Sequence, residues 1–187
     1  MPEKILKCQF DAETSRGGLV QVFTGEGKGK TSAAIGNVMR AVGHGLRVCI
    51  IFFMKGDYPY GERNILSKLP DVTIISFGQE SFVDPDNITM DQIAQAGEAL
   101  ITARKVMLSA NYDMIVLDEI NIAAAFNLVS IDDVIRLIQD KPESVELILT
   151  GRLADPRIIQ MADLVTEMIK IKHPYDEGIM ARKGFEY

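Results

Sequence analysis

A glycine-rich segment between an apolar run and a helical pattern constrains the fold of this chain most. Residues 24–31 read TGEGKGKT, after the apolar run LVQVF at 19–23 and before a helical composition over 30–42. Glycine reaches backbone conformations that turn successive N–H groups inward, and a helix N-terminus adds partial positive charge. The Lys30 ammonium adds a full charge, and the Thr31 hydroxyl can complete the shell of a Mg²⁺ ion. The segment predicts a phosphate-binding loop rather than a flexible basic turn.

The rest of the chain alternates apolar runs with helical patterns. Further strands are predicted at 47–54, 72–77, 114–117, 145–149 and 164–169, and further helices at 89–108, 130–139 and 156–162. Residues 55–62 are predicted as a loop, and Met90, Ile93, Gly97, Leu100 and Met107 as the apolar stripe of the longest helix. Strands that alternate with helices predict an α/β fold with a mostly parallel sheet covered on both faces. Ligands of such folds bind at the carboxyl ends of the strands.

Composition excludes several classes of protein. The 187 residues carry 20 Lys and Arg against 26 Asp and Glu, a net charge of −6, which disfavours a dedicated nucleic-acid binder. The longest apolar run, at 48–54, is far shorter than the roughly 20 residues that span a bilayer. The start of the chain lacks the apolar core of a signal peptide, and two cysteines do not make a disulfide framework. We therefore expect a cytoplasmic protein with neither a nucleic-acid nor a membrane partner.

A second motif places acidic residues at the end of a buried strand. Residues 114–119 read MIVLDE, and an acidic residue beside a phosphate loop normally holds Mg²⁺ (or Mn²⁺), directly or through water. Side chains alternate along a strand, so Asp118 and Glu119 are expected to face different ways, one to bind metal and one to orient another group. Simple helix capping is the alternative. Together the loop and the acidic pair predict a site for a magnesium nucleotide.

Two basic residues are expected at the same edge of the sheet. Lys55 ends the second strand and Arg152 follows the fifth, so the topology brings both to the ligand edge. Either can neutralise charge on a departing phosphate group; the alternative for each is a solvated surface cation. No Ser or Cys with a nearby His is apparent in the sequence, which disfavours covalent catalysis by an enzyme nucleophile.

Eight segments form a recognisable series, in order over 18–187: FTGEGKGKTSAA (23–34), RAVGHG (40–45), FMKG (53–56), GE (61–62), VLDEIN (116–121), LTGR (149–152), ADLVTEM (162–168) and KHPYDEG (172–178). This series resembles the ATP:corrinoid adenosyltransferases of the P-loop type. Thr24, where an ordinary loop begins with Gly, belongs to the pattern of this family. The resemblance implies a P-loop NTPase-like (RecA-like) three-layer fold, with residues 1–17 as an N-terminal arm and 18–187 as one nucleotide- and corrinoid-binding domain.

The family resemblance also implies a reaction. In that family the Co(I) of the corrinoid attacks the 5′ carbon of ATP and expels triphosphate, with the nucleotide reversed relative to ordinary P-loop hydrolases. The implied catalytic residues are Lys30, Thr31, Glu119 and Arg152, and the implied metal ligands are Thr31, Asp118 and Glu119. The implied binding residues are Thr24, Gly25, Glu26, Gly27, Lys28, Gly29, Lys30, Thr31, Ser32, Lys55 and Phe82. A flavoprotein-type reductant and a homodimer are implied as well.

One region departs from the family pattern. The family carries a Phe-Thr-Trp segment after the third strand that encloses the corrin, whereas residues 78–83 here read GQESFV and the chain has no Trp. Phe82 either takes part of that role or anchors the loop, which leaves open how Co(II) is activated and which corrinoid is preferred. Two other functions remain at this point: a P-loop NTPase or kinase that cleaves at the γ-phosphate, and a protein that binds ATP and corrinoid without turnover.

Overall fold

A computed structural model describes residues 17–79 and 83–187 of the chain. Six parallel strands form one sheet in the order β3-β2-β4-β5-β1-β6. The strands are β1 (Val20–Thr24), β2 (Val48–Phe52), β3 (Val72–Ser76), β4 (Met114–Asp118), β5 (Glu146–Thr150) and β6 (Leu164–Glu167). The predicted α/β architecture is confirmed, and each predicted strand is present with shifted ends. The predicted arm lies outside the described residues except for Gly17.

Helices cover both faces of the sheet. They are α1 (Lys30–Gly43), α2 (Gly61–Leu66), α3 (Met90–Leu108), α4 (Ile120–Ala125), α5 (Ile131–Gln139) and α6 (Pro156–Met161), with a 3₁₀ turn at Pro174–Glu177. Strand β2 shows the layering, because Cys49 and Ile51 join the core under α3 to α6 while Ile50 and Phe52 join the core under α1 and α2. A strand buried on both faces is typical of a parallel sheet between helix layers.

The long helix α3 packs differently from the sequence prediction. Its capping box is confirmed, since Thr89 and Gln92 exchange hydrogen bonds at the first turn. The predicted apolar stripe is wrong at its start, because Met90 is 79% exposed and Ile93 is 37% exposed. The buried face consists instead of Ala96, Ala99, Ala103 and Met107. Small side chains let the helix backbone come close to the sheet, so alanines rather than long residues mark the packed face.

Two short helices, α2 and α4, were not predicted. The predicted loop at 55–62 ends early because α2 begins at Gly61. Helix α4 directly follows Glu119 and is buried at five of its six positions. The strand register aligns Phe52 with Asp118 and Phe23 with Thr150, so the loops that follow β1, β2, β4 and β5 meet at one edge of the sheet. Within 17–79 and 83–187, no helix is both long and apolar enough to cross a bilayer.

Candidate active site

The glycine loop packs closely against the backbone that follows β6. The Gly27 N–H donates to the Met168 carbonyl at 2.6 Å, and a Cβ at Gly27 would lie 2.8 Å from that oxygen. Gly25 has φ +95°, and a Cβ there would lie 2.5 Å from the same oxygen. Both positions require glycine for space, and Gly25 requires it for backbone conformation as well. The loop is therefore held in a fixed curve before α1 begins.

Lys30, the first residue of α1, folds back across this curve. Its Nζ donates to the carbonyls of Gly25 (2.7 Å) and Gly27 (2.8 Å). Burial lowers the pKa of Lys30, although Glu119 and other nearby carboxylates act against that shift. A partly buried ammonium at the N-terminus of a helix places positive charge where an anion can bind. The Thr24 side chain supports the loop from below, because it is buried and its hydroxyl accepts a hydrogen bond from the Ala154 N–H at 3.2 Å.

Asp118, the last residue of β4, organises a buried network of polar groups. It is 1% exposed and accepts from Lys55 Nζ at 2.5 Å and from the Thr150 hydroxyl at 2.7 Å. Burial alone lowers the pKa of Lys55, but Asp118 and Glu119 outweigh burial, so the pKa is raised overall. Lys55 Nζ also lies 3.4 Å from the Thr31 hydroxyl. Lys55 is therefore a charged group fixed between the acidic pair and the start of α1.

Glu119 departs from the expected strand alternation. It has φ +69°, a left-handed conformation that side chains other than glycine rarely adopt. Its N–H donates to the Thr150 hydroxyl at 3.0 Å, and its carboxylate lies 4.0 Å from Lys55 Nζ. Both acidic side chains thus lie near one ammonium, Asp118 in the buried network and Glu119 partly exposed. Burial, followed by the nearby Asp118, raises the pKa of Glu119.

Arg152 lies at the rim of the same edge. Its guanidinium is half exposed and lies 3.5 Å from the Glu26 carboxylate. The turn before it is tight, because Gly151 has φ +128° and a Cβ there would lie 3.0 Å from the Ile122 nitrogen of α4. Left-handed backbone also occurs at Met54 and Leu153, next to Lys55 and Arg152. Strained backbone of this kind clusters at functional sites.

Two cavities meet at this edge of the sheet. The larger, about 500 Å³, is lined by residues 28–32 of the glycine loop and α1, by Lys55, residues 60–62 and Glu119, and by residues 184–187. The smaller, about 150 Å³, is lined by Phe53, Met54, Lys55, Tyr60, Val83, Glu119, Ile122, Phe126 and Arg152. Lys55, Tyr60 and Glu119 line both cavities, so the space beside the glycine loop and the space beside Phe53 and Phe126 share one wall.

Comparison with known proteins decides the family. The sequence model of the family described as ATP:corrinoid adenosyltransferase BtuR/CobO/CobP matches residues 16–187. The chain belongs to this family. The corrinoid adenosyltransferase of Escherichia coli is 36% identical over 186 residues, covering 99% of this chain and 93% of that protein. The corrinoid adenosyltransferase of Salmonella typhimurium is 36% identical over 192 residues, covering 97% and 94%.

The comparison of structures agrees on the fold. A KaiC-like protein from Pyrococcus horikoshii has a TM-score of 0.52 and 16% sequence identity, covering 81% of this chain and 73% of that one. At this identity the likeness shows the fold alone, and it agrees with the P-loop NTPase-like architecture expected from the sequence. The family shows that the chain is an adenosyltransferase. Membership of this family favours the transferase over the two alternatives left open above, the NTPase or kinase and the binding protein without turnover.

The structure brings most of the predicted site residues of this adenosyltransferase to one place. Residues 28–32, Lys55 and Glu119 line the larger cavity, and Arg152 lines the smaller one. Asp118 is buried and is linked to these residues by the hydrogen bond that it accepts from Lys55. Phe82 lies outside the described residues, although its neighbour Val83 lines the smaller cavity. Among the described residues, no group of three or more His, Cys, Asp and Glu side chains is arranged to hold a metal ion.

Sequence analysis missed three parts of this site. Tyr60 lines both cavities, but a lone tyrosine in a loop gives no signal of that position. Thr150 holds both Asp118 and Glu119, and its place at the end of a buried strand beside Gly151 was the available signal. Residues 184–187 line the larger cavity from the far end of the sequence, which no local pattern reports.

Proposed function

We propose that this adenosyltransferase moves the 5′-deoxyadenosyl group of ATP to the Co(I) of a corrinoid, releasing triphosphate, in adenosylcobalamin biosynthesis or salvage. The observation that carries the proposal is the wall shared by the two cavities. A triphosphate in the glycine loop and a corrin edge in the apolar cavity would place the ribose at Lys55, Tyr60 and Glu119. This arrangement suits attack at carbon better than attack at the γ-phosphorus.

The triphosphate is proposed to lie along residues 24–32. Backbone N–H groups of the loop, the Lys30 ammonium and the first turn of α1 supply positive charge where the leaving group forms. In the step itself the cobalt lone pair forms the Co–C bond as the bond from the 5′ carbon to oxygen breaks, and the electron pair leaves with triphosphate. Because the corrinoid supplies the nucleophile, the protein needs no catalytic base, and its contribution is alignment and charge stabilisation.

A Mg²⁺ or Mn²⁺ ion fits the donors at this site. Thr31 and Glu119 present oxygen ligands to the larger cavity, and Mg²⁺ needs only one or two protein ligands when phosphates and waters supply the rest. Asp118 accepts from Lys55 and Thr150, so we assign it to holding Lys55 or to the outer shell of the metal. The ion would neutralise charge on the triphosphate as it departs.

Arg152 and Lys55 are proposed to complete the charge stabilisation. Lys55 is fixed by Asp118, whereas Arg152 lies at the rim and pairs only weakly with the exposed Glu26. A rim arginine with an exposed partner can turn toward a polyphosphate without leaving a buried charge unpaired. Arg152 is therefore the cation most free to follow the leaving group.

The corrinoid is proposed to enter over the smaller cavity. Phe53, Met54, Ile122 and Phe126 give it an apolar lining. Its volume of about 150 Å³ accommodates an edge rather than a whole macrocycle. Val83 belongs to this lining, so we propose that the adjacent Phe82 closes over the corrin in place of the aromatic segment of the family. A flavoprotein-type reductant, a homodimer and a cytoplasmic location also belong to this proposal.

A turnover assay tests the proposal. Chemically reduced Co(I) corrinoid and MgATP should yield a light-sensitive Co–C product, with cobalamin, cobinamide and cobyrinic acid a,c-diamide compared as substrates. Arg152→Ala should lower kcat about tenfold or more, as loss of one transition-state cation does. Arg157→Ala is the matched control, because Arg157 pairs with Asp132 and Asp155 on the exposed side of α6. Absence of Co–C product would leave a binding role, and equal effects of the two variants would remove Arg152 from the site.

A further inference from the structure

Residues 182–187, which we call the strap, connect two walls of the larger cavity. At one end the strap contacts the glycine loop, because Lys28 Nζ donates to the Phe185 carbonyl at 2.8 Å and to the Glu186 carboxylate at 3.0 Å. At the other end the Tyr187 ring packs edge-on against Tyr58, with centroids 5.3 Å apart. The strap therefore spans from the glycine loop to the segment before α2.

The Glu186 carboxylate accepts four hydrogen bonds, three from Arg182 and one from Lys28. Arg182 donates its backbone N–H to Oε2 at 2.8 Å and its Nε to the same oxygen at 3.1 Å. Arg182 Nη2 and Lys28 Nζ both donate to Oε1. The Arg182 contacts, and then Lys28, lower the pKa of Glu186 to about 2. The carboxylate is thus a permanently charged anchor for Lys28 at any physiological pH.

The Tyr187 end of the strap contacts residues near the wall that the two cavities share. The Tyr58 ring packs at a tilt of 54° against the Tyr60 ring, with centroids 4.9 Å apart, and Lys55 Nζ lies 4.9 Å from the centroid of the Tyr60 ring. The Tyr187 backbone also approaches Gly61, since a Cβ at Gly61 would lie 3.8 Å from the Tyr187 carbonyl carbon. The strap thereby contacts both the phosphate end of the cavity and the wall that the two cavities share.

We propose that the strap closes the nucleotide cavity and that Glu186 is a positioning residue, which acts through Lys28 to fix the glycine loop for ATP. This inference rests on the proposed function for the identity of the nucleotide, but not for the contacts themselves. Gly25 and Gly27 pack against backbone, whereas a Cβ at Gly29 would meet only the Met168 side chain, so the end of the loop at Lys28 and Gly29 is the freer part. A charged anchor that limits this freedom lowers the entropy lost on binding. Of the two cavities that share a wall, the strap lines only the larger one, so we expect it to act on ATP rather than on the corrinoid. Arg182 and Glu186 also line a separate cavity of about 510 Å³ on the other side of Lys28.

The test measures nucleotide affinity directly. Calorimetric titration of the whole chain with MgATP should show Kd rising about two- to fivefold in Glu186→Gln, the upper part of the range for an exposed ion pair. Glu186→Asp, which keeps the charge, should recover part of the affinity. Tyr187→Ala should weaken ATP binding in the same direction, and the double variant should lose less than the product of the two single effects because either change releases the strap.

Glu177→Gln is the matched control. It removes the same charge from the same part of the chain. The Glu177 carboxylate pairs with the exposed Lys172 Nζ at a distance of 3.2 Å, and this pair lies away from the glycine loop. The effect of Glu186→Gln should appear in KM for ATP more than in kcat or in KM for the Co(I) corrinoid. A Kd for ATP that is unchanged or lower, or that rises equally in Glu177→Gln, would overturn the inference. If the wild type binds ATP but forms no Co–C product, the proposed function fails while the Kd comparison still tests the strap.

Discussion

Thr150 joins the two acidic residues of the site through one hydroxyl group. The hydroxyl donates to Asp118 Oδ1 at 2.7 Å and accepts from the Glu119 N–H at 3.0 Å. Thr150 is fully buried at 0% exposure, so water cannot replace either bond. Thr150→Val keeps the branched shape and removes both hydrogen bonds at once.

The cost of Thr150→Val follows from these two bonds. A hydrogen bond to a charged group contributes roughly 1.5–3 kcal/mol, and a neutral one about 1 kcal/mol. The extra apolar burial of valine offsets part of this loss. We expect the free energy of unfolding to fall by about 2–4 kcal/mol, and Tm by roughly 5–12 °C for a chain of this size. Glu119 also loses the hydrogen bond that supports its left-handed backbone. The fall in kcat should therefore be larger than the loss of folded protein at the assay temperature explains.

Urea unfolding at several temperatures measures the first effect, and turnover with Co(I) corrinoid measures the second. Thr150→Ser is the control, since it keeps the hydroxyl and removes only a methyl group. The serine variant should retain most of the wild-type activity. A Thr150→Val protein within about 0.5 kcal/mol of wild type, with normal kcat, would refute the claim that this hydroxyl organises the acidic pair.

Further expectations concern single residues. Lys30→Ala should abolish MgATP binding in the same calorimetric titration, and wild-type affinity would contradict the assigned phosphate site. Phe82→Ala should slow reaction with Co(II) corrinoid plus reductant more than reaction with pre-formed Co(I); equal slowing would exclude Phe82 from activation. Burial raises the pKa of Cys49 to about 12, so mass spectrometry should find Cys49 unmodified by iodoacetamide at pH 8 until the chain is unfolded. The Glu186 pKa of about 2 lies below its ordinary 4.5, so the stability lost in Glu186→Gln should be constant above pH 4.5 and vanish as the pH falls toward 2; a change between pH 6 and 8 would contradict this charge state.

The parts of the fold that could be predicted are those with a local cause. The glycine loop, the six strands and α1 each follow from a run of residues whose spacing has one structural solution. Helices α2 and α4 were missed because six residues make fewer than two turns, too few for a helical period to appear. Helix α6 is equally short, but Pro156 at its first position marks its start. In α4, INIAAA follows a strand directly, and only the left-handed backbone at Glu119 ends the strand there.

The site was predicted where topology alone decides position. Lys55, Glu119 and Arg152 follow strand ends, so a parallel sheet brings them together whatever the loops do. Contacts between distant parts of the chain could not be predicted in this way. Lys28 and Glu186 are 158 residues apart in sequence, and nothing near either residue indicates that they pair. The packed face of α3 was predicted wrongly because the prediction relied on long apolar side chains, whereas mainly alanines pack against the sheet.

The products of a single turnover test the central claim most directly, namely that ATP presents its 5′ carbon rather than its γ-phosphorus to the acceptor. Phosphorus NMR of the reaction of MgATP with Co(I) corrinoid distinguishes the two modes of cleavage. We predict one equivalent of inorganic triphosphate for each Co–C bond formed, with no orthophosphate or ADP at early times. Orthophosphate and ADP formed in step with corrinoid consumption would contradict the account.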